Sequence, residues 1–443
     1  MAHATATKSG VSAVGETPRL PVSHVAAVVI GNALQFYDFL TYAFFAAQIG
    51  RTFFPSHDAS TSLLASLATF GAGFVTRPIG AVVIGTMGDR VGRKPAMILS
   101  FALMGFAIVG LALTPSYAAI GIAAPIAAIA FRLLQGFALG GEVGPSTAYL
   151  IEAAPPARRG FFVSLQYATQ DAAVLAAGLI GLALANIFDA RGLDQWGWRI
   201  AFMVGAAIVP FGLMMRGRLN ETLHEGAVVE ADLGPSGLRP YARVAALALA
   251  MLGAGTIATY VMSYMTTYAS ATLHMAANLA FGATVTVGLC GVLFDPLGGW
   301  LSDRFGRKRV MIAPWAILLA AVFPCFWVIT HFRTGVALFG ATAVLTIPGA
   351  IASASVLVTI TESLPRRVRS GALATLYALA ISTFGGTTQF AITWLIRATG
   401  DPLAPAWYMA GAVAVGLVAM MLMRETAPGR SGPKGAALLP AIA

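Results

Sequence analysis

Asp38, Arg77, Arg132, Glu142, Asp171 and Asp295 each stand inside a run of sequence that is otherwise almost wholly apolar. An ionisable side chain placed in hydrocarbon costs about 2.5 to 3.5 kcal/mol, so it faces a cavity or a partner. A carboxylate there can take up and release a proton. A guanidinium there can pair with a carboxylate, to which its planar fork offers two contacts at once. Buried ion pairs that only fix helix packing account for any single member, but less well for the whole set. Neutral polar residues accompany them: Asn32, Gln35 and Tyr37 near Asp38, Gln135 near Arg132, and Gln166 and Gln170 near Asp171. Later in the chain Tyr260, Tyr264 and Tyr268 recur every four residues among Thr256, Thr259, Ser263, Thr266 and Thr267. Tyr377, Ser382, Thr387, Thr388 and Gln389 follow. Polar contacts between helices explain each of these alone as readily as contact with a solute.

The elements that must position these groups are helices in a membrane. Of the 443 residues 58% are hydrophobic and only 10% are charged, far below the roughly 25% charged residues of a soluble domain. A crossing takes about 20 apolar residues, and twelve such runs are present, near 24–50, 61–86, 95–114, 118–150, 160–188, 198–216, 243–269, 278–302, 310–330, 335–361, 371–397 and 404–424. They are too long and too evenly apolar for the alternating strands of a membrane barrel. Gln135 and Glu142, seven apart, fall on nearly one face of the fourth run. Tyr268 reads as part of an interfacial aromatic belt, whereas Tyr260 lies deeper.

The net charge of +10 does not point to nucleic acid, because the basic residues sit in short loops rather than on one amphipathic face. They gather in the even-numbered loops, leaving Arg51, Arg191, Arg199, Arg333 and Arg397 for the odd-numbered ones. The positive-inside rule then puts both termini in the cytoplasm. The first 20 residues lack the apolar core of a cleavable signal. Cys290 and Cys325 both lie within apolar runs and the histidines are scattered, so neither a disulfide framework nor a metal site is expected. No nucleotide loop, metal set or Ser-His-Asp arrangement suggests an enzyme.

A repeat divides the chain. Gly85, Asp89, Arg90, Gly92, Arg93 and Lys94 recur as Gly299, Asp303, Arg304, Gly306, Arg307 and Lys308, at an offset of 214. A weaker echo pairs Glu152, Pro155, Arg158 and Gly160 with Glu362, Pro365, Arg369 and Gly371. The division expected is a cytoplasmic tail over 1–20, a six-helix bundle over 21–216, a linker over 217–242, a second six-helix bundle over 243–425 and a tail over 426–443. Two similar bundles rocking about a midplane site are a carrier's architecture. Gly85, Asp89, Arg90 and Arg93 with Gly299, Asp303, Arg304 and Arg307 are then its cytoplasmic gate, closed by acid paired with basic residues and helix N-termini.

The doubled motif resembles the signature loop of the major facilitator superfamily. Gly31-Asn32 with Tyr37-Asp38-Phe39, Arg77-Pro78 with Gly80, Arg132 with Gln135-Gly136-Phe137 and Gly141-Glu142, and Trp196 with Trp198-Arg199 resemble its metabolite:proton symporter family. Arg51 to Pro55 and Phe384-Gly385-Gly386 are most like the citrate-proton symporters. The resemblance implies an all-α membrane protein of twelve transmembrane helices in two pseudo-symmetric six-helix bundles, in a bacterial inner membrane, working without cofactor and with H+ as coupling ion. It implies Asp38 with Arg132, and Glu142 second, as the proton-coupling groups. With a carboxylate as the solute, the polar residues of the spans expected to hold it are Asn32, Tyr37, Arg132, Gln135, Gln170, Tyr260, Tyr264 and Gln389. Facilitator-type carriers can work as monomers, which leaves the oligomeric state open, and the partners expected are the solute, protons and the lipid bilayer.

Carriers of shikimate, 2-oxoglutarate and proline or betaine share most of these motifs. Gln35 stands where the family usually has an acid, and Asp171 and Asp295 where the citrate carriers have neutral residues; extra cavity acid weakens binding of a trianion unless it is protonated. A proton antiporter for efflux would carry a glycine-proline signature in the fifth run, which has Gly178 and Gly181 but no proline. Importing a trianion alone against 100 mV costs roughly 7 kcal/mol at about 2.3 kcal/mol per charge, and co-transported protons offset it.

Overall fold

The computed structural model describes residues 33, 36–91, 93–140, 155–217, 241–364 and 369–427. Twelve long helices run through these residues, with no strand among them. α1 covers 36–53 with a turn at Phe45; α2 is Ala59–Val75 continued after Thr76 by Arg77–Arg90; α3 is Arg93–Leu113 and α4 is Ala123–Gly140. α5 is Arg159–Ile187 and α6 is Trp198–Gly217. In the second half α7 is Ala242–Thr272, α8 Ala277–Phe305, α9 Arg307–Phe332 and α10 Gly335–Ser363. α11 starts as Arg369–Ala380, widens into a π-turn at Ile381–Gly385 and ends as Gly386–Thr399, and α12 is Ala404–Leu422.

Among the described residues eight helices are long and apolar enough to cross a membrane. Val82, Phe106, Leu179 and Trp407 stand exposed on the outside, an arrangement suited to lipid rather than water. The fourth run begins later than its hydropathy implies. Gly121 takes φ +61°, which an L-residue rarely adopts, and it separates a short turn, Tyr117–Ile120, from α4. α8 and α9 are likewise parted by Gly306 at φ +96°.

Packing repeats as the motif does. α2 packs on α4, α3 on α4 and α3 on α6; six helices later α8 packs on α10, α9 on α10 and α9 on α12. The halves meet along two seams that are images of each other, α5 against α8 and α2 against α11. Both seams are made possible by glycine. A Cβ on Gly178 would lie 2.9 Å from the Val285 nitrogen and one on Gly160 2.6 Å from the Gly299 oxygen, while Gly71 meets Gly386 backbone to backbone. Small residues that let backbones touch are the usual means of helix association in lipid. The residues expected to form the linker and the tails lie outside the described residues, save their margins.

Candidate functional site

α2 and α4 approach closely because Gly73, Gly80, Gly136 and Gly140 have no side chains to hold them apart, and Thr76 Oγ1 donates to the Leu133 carbonyl at 2.7 Å. That contact brings two arginines into one buried layer. The Arg132 guanidinium lies over the rings of Phe39, Tyr42 and Phe70 at 4.4, 4.5 and 5.1 Å from their centroids. The Arg77 guanidinium lies over Phe39 and Phe74 at 4.2 and 4.1 Å. Arg132 Nη1 donates to Gln135 Oε1 at 2.6 Å. Nε and Nη2 of both arginines have no acceptor among the described residues. Aromatic faces stabilise a desolvated cation by about 2 kcal/mol, but they leave these N–H groups unsatisfied.

Asp38 is 2% exposed and close enough to Arg132 for their charges to interact, but no ion pair closes between them among the described residues. Its Oδ1 lies against Gly205 of α6 and has no hydrogen-bond donor. Tyr37 also turns to α6, donating to the Ala201 carbonyl at 2.9 Å. Phe36 and Leu40, on the opposite face of α1, are the ones that face the interior cavity.

That cavity, of about 180 Å³, lies between the halves and is lined from α1, α5 and α7 to α12. Tyr167, Gln170 and Asp171 come from α5, Thr256, Thr259, Tyr260 and Ser263 from α7, Asp295 from α8, Ser353 from α10 and Tyr377 from α11. No Lys, Arg or His is among the lining residues. Tyr260 joins the cavity to the arginine layer, because it is within hydrogen-bonding reach of Arg77 and packs edge-on against Phe74 at 5.7 Å. Gln170 is in similar reach of Tyr377.

The second copy of the repeated motif closes one end of the bundle. Asp303 accepts from the backbone N–H groups of Gly160 and Phe161, both at 2.9 Å, at the start of α5. Arg307 Nη1 holds the same carboxylate at 2.5 Å, and Glu362 lies 3.6 Å from Arg307 Nε and 3.8 Å from Arg159 Nη1. Glu425, just beyond α12, accepts from the Arg307 and Lys308 N–H groups at 3.0 Å each and so caps α9. Burial opposes the charge on Glu425, but the N–H groups of Ala427, Lys308, Arg307 and Thr426 outweigh it and hold its pKa below the usual glutamate value. At the opposite end Arg397 pairs with Asp58 at 2.9 Å, and Arg51 pairs with Asp194 at 2.6 Å.

The expected site residues therefore divide. Arg132, Gln135 and Asp38 share one layer; Gln170 and Tyr260 share the cavity wall; Gly299, Asp303 and Arg307 share the closed end. Arg304 points outward, over Trp300 at 5.3 Å. Tyr264 is bonded to Thr393 at 2.8 Å, away from the cavity, and Gln389 is buried with neither amide atom partnered among the described residues. Tyr268 is not in an interfacial belt. It is wholly buried and donates to the Pro402 carbonyl at 2.7 Å, because α7 turns its tyrosine face toward α11 and the loop after it. Asn32 and Glu142 lie outside the described residues, as do the side chains of Asp89, Arg90 and Arg93 and the surroundings of Gly85.

The Phe70–Phe74 pair was not anticipated from the sequence, whereas Asp171 and Asp295 lie on the cavity wall as acids of that kind were expected to. The four-residue spacing of Phe70 and Phe74, next to Arg77, is the signal that could have found the aromatic box.

The family described as Sugar (and other) transporter matches residues 24–232. The citrate-proton symporter of Klebsiella pneumoniae is 34% identical over 405 residues, 90% of each chain. The alpha-ketoglutarate permease of Escherichia coli (strain K12) is 32% identical over 96% of this chain and 99% of its own. The proline/betaine transporter of Salmonella typhimurium is 32% identical over 91% of this chain and 83% of its own. In fold, the partially occluded inward-open xylose transporter XylE of E. coli superposes with a TM-score of 0.73 at 17% identity, over 91% of this chain and 98% of its own. Sequence, repeat and helix packing agree that the chain belongs to the major facilitator superfamily, as a multi-pass membrane transporter of its metabolite:proton symporter family.

Proposed function

We propose that this carrier imports a small organic acid, citrate or a related tri- or dicarboxylate, together with protons by alternating access. The observation that carries the reading is the pair of buried guanidiniums, Arg77 and Arg132, whose Nε and Nη2 atoms have no acceptor among the described residues. A solute carboxylate entering the cavity displaces Tyr260 from Arg77 and supplies the missing acceptors in bidentate form. Asp38, beside Arg132 and without a donor on Oδ1, takes the coupling proton. When solute neutralises Arg132, the carboxylate loses the cation that favours its charged form, so protonation and binding rise together.

The acidic, aromatic wall of the cavity favours a second reading. Asp171, Asp295, Tyr167 and Trp315 suit the cationic end of a betaine-like zwitterion, while its carboxylate faces Tyr260 and Arg77. Uptake of labelled citrate into proteoliposomes, under an imposed pH gradient or voltage, decides between them. Uptake lost in Asp38→Asn and Arg132→Ala, and competed by tricarballylate better than by betaine, supports the first reading. Absence of citrate flux under every gradient refutes it, and betaine, 2-oxoglutarate and shikimate are then the solutes to measure.

A further inference from the structure

Asp171 and Asp295 form a pair that the arginine layer does not use. Asp171 belongs to α5 and Asp295 to α8, so the pair bridges the two halves at the middle of their longest seam. Gly291, one turn from Asp295, leaves the space that the Asp171 carboxylate fills. The two carboxyl groups are within hydrogen-bonding reach of each other. Asp295 is 2% exposed; its Oδ1 accepts from Ser353 Oγ at 2.9 Å, but its Oδ2 has no donor among the described residues. The other titratable groups near the pair are Tyr167 on α5 and Cys290 on α8, with Tyr260 of α7 and Tyr377 of α11 across the cavity. None is basic.

We infer that Asp171 and Asp295 share one proton across the α5/α8 seam, forming a proton site separate from Asp38 that latches the two halves together. Two carboxylates in contact on the wall of a narrow cavity cannot both stay ionised, because their mutual repulsion adds to the cost of desolvation. A proton taken up from the cavity onto Asp171 supplies the donor that Asp295 Oδ2 lacks, and one taken up on Asp295 Oδ2 lets that atom donate to Asp171. Sodium is a poorer occupant, since hard cations demand about six oxygen ligands and the pair adds only Ser353, already engaged. When the proton leaves through the cavity, two negative charges face each other between the halves and drive the seam apart. The latch thus ties proton release to rocking, a consequence that rests on the symport reading above.

The proton itself is testable without any solute. Infrared difference spectra of the full chain in lipid, at neutral pH, are expected to show a protonated-carboxyl band that is missing from Asp171→Asn/Asp295→Asn and retained in Asp38→Asn. Ser353→Ala keeps both carboxyls, serves if the double variant does not fold, and is expected to shift the same band. An identical band in parent and double variant, or no shift in Ser353→Ala, overturns the assignment. Loss of the band when sodium chloride replaces choline chloride at constant pH also overturns it, by giving the site to sodium. Failure of the parent to move citrate removes the substrate reading and leaves the band untouched, so the two failures are distinguishable.

Discussion

Replacing Asp303 with alanine tests whether the closed end is held as the geometry indicates. Asp303 accepts two N–H groups of α5, at 2.9 Å each, and these bonds exist only while α5 and α8 are together at that end. Hydrogen bonds to a charged group contribute about 1.5 kcal/mol each at the lower end of their range, so removing both shifts the equilibrium toward opening by about 3 kcal/mol, roughly a hundredfold. Arg307 is not stranded by the change, since Ser302 Oγ at 3.1 Å and Glu362 at 3.6 Å remain beside it. Ser164 provides the reporter. It is fully buried, and its hydroxyl packs where a Cβ on Gly299 would lie 2.6 Å away. With Cys290 and Cys325 changed to alanine, a Ser164→Cys thiol reacts with maleimide only in the opened fraction. Asp303→Ala is expected to raise that rate roughly a hundredfold and Asp303→Asn, which keeps one oxygen acceptor, by roughly the square root of that, in line with the energies above. A rate unchanged in Asp303→Ala would show that other contacts close this end and would refute the argument.

Gly178→Leu puts a side chain against the α8 backbone, where even a Cβ would be 2.9 Å from the Val285 nitrogen. Overpacking costs about 1 to 3 kcal/mol, so transport is expected to fall sharply while membrane insertion persists; full transport activity would show that the seam has slack. Arg132→Lys keeps the charge but not the planar face over Phe39, Tyr42 and Phe70. It is expected to lower the melting temperature in detergent by forfeiting up to about 2 kcal/mol of cation–π contact, and an unchanged value would discount the aromatic box. Glu425→Gln weakens the cap on α9, for which caps of this kind are worth about 1 kcal/mol. Because the folded-state pKa of Glu425 lies below its unfolded value, its contribution is present above the ordinary pKa of about 4.3 and lost as pH falls through the folded pKa. Parent and variant melting curves should therefore differ at neutral pH and converge in acid; a gap that persists in acid would contradict the charge-based account.

The spans were legible because hydropathy alone marks a helix in lipid, and predicted and observed ends of α5 and α10 differ by a residue or two. Half of the closed end was legible because the repeat singled out Asp303 and Arg307. The cavity wall was not. Asp38 was expected to face a cavity or a partner, and helix rotation sets Phe36 and Leu40 toward the cavity and turns Asp38 to Gly205 beside Arg132; which of the two it meets depends on how α6 docks, which the sequence of α1 does not carry. Tyr264 and Tyr268 share a stripe with Tyr260, but only Tyr260 reaches the cavity, since the other two are taken up by Thr393 and Pro402. Asp171 and Asp295 were visible as costly residues, and what joins them is the docking of one half on the other, which no local pattern records.

The carboxylate of Glu425 has a consequence for how the protein is made. It caps the start of a helix 118 residues upstream, so during synthesis the first turn of α9 emerges without its cap and waits until α12 has been threaded into the membrane. Completion of the Arg307, Lys308 and Glu425 contacts then coincides with arrival of the last span, and a chain cut short after Leu422 would insert with the end of its motif loop still unclosed, a ready mark for quality control to distinguish unfinished carriers from finished ones.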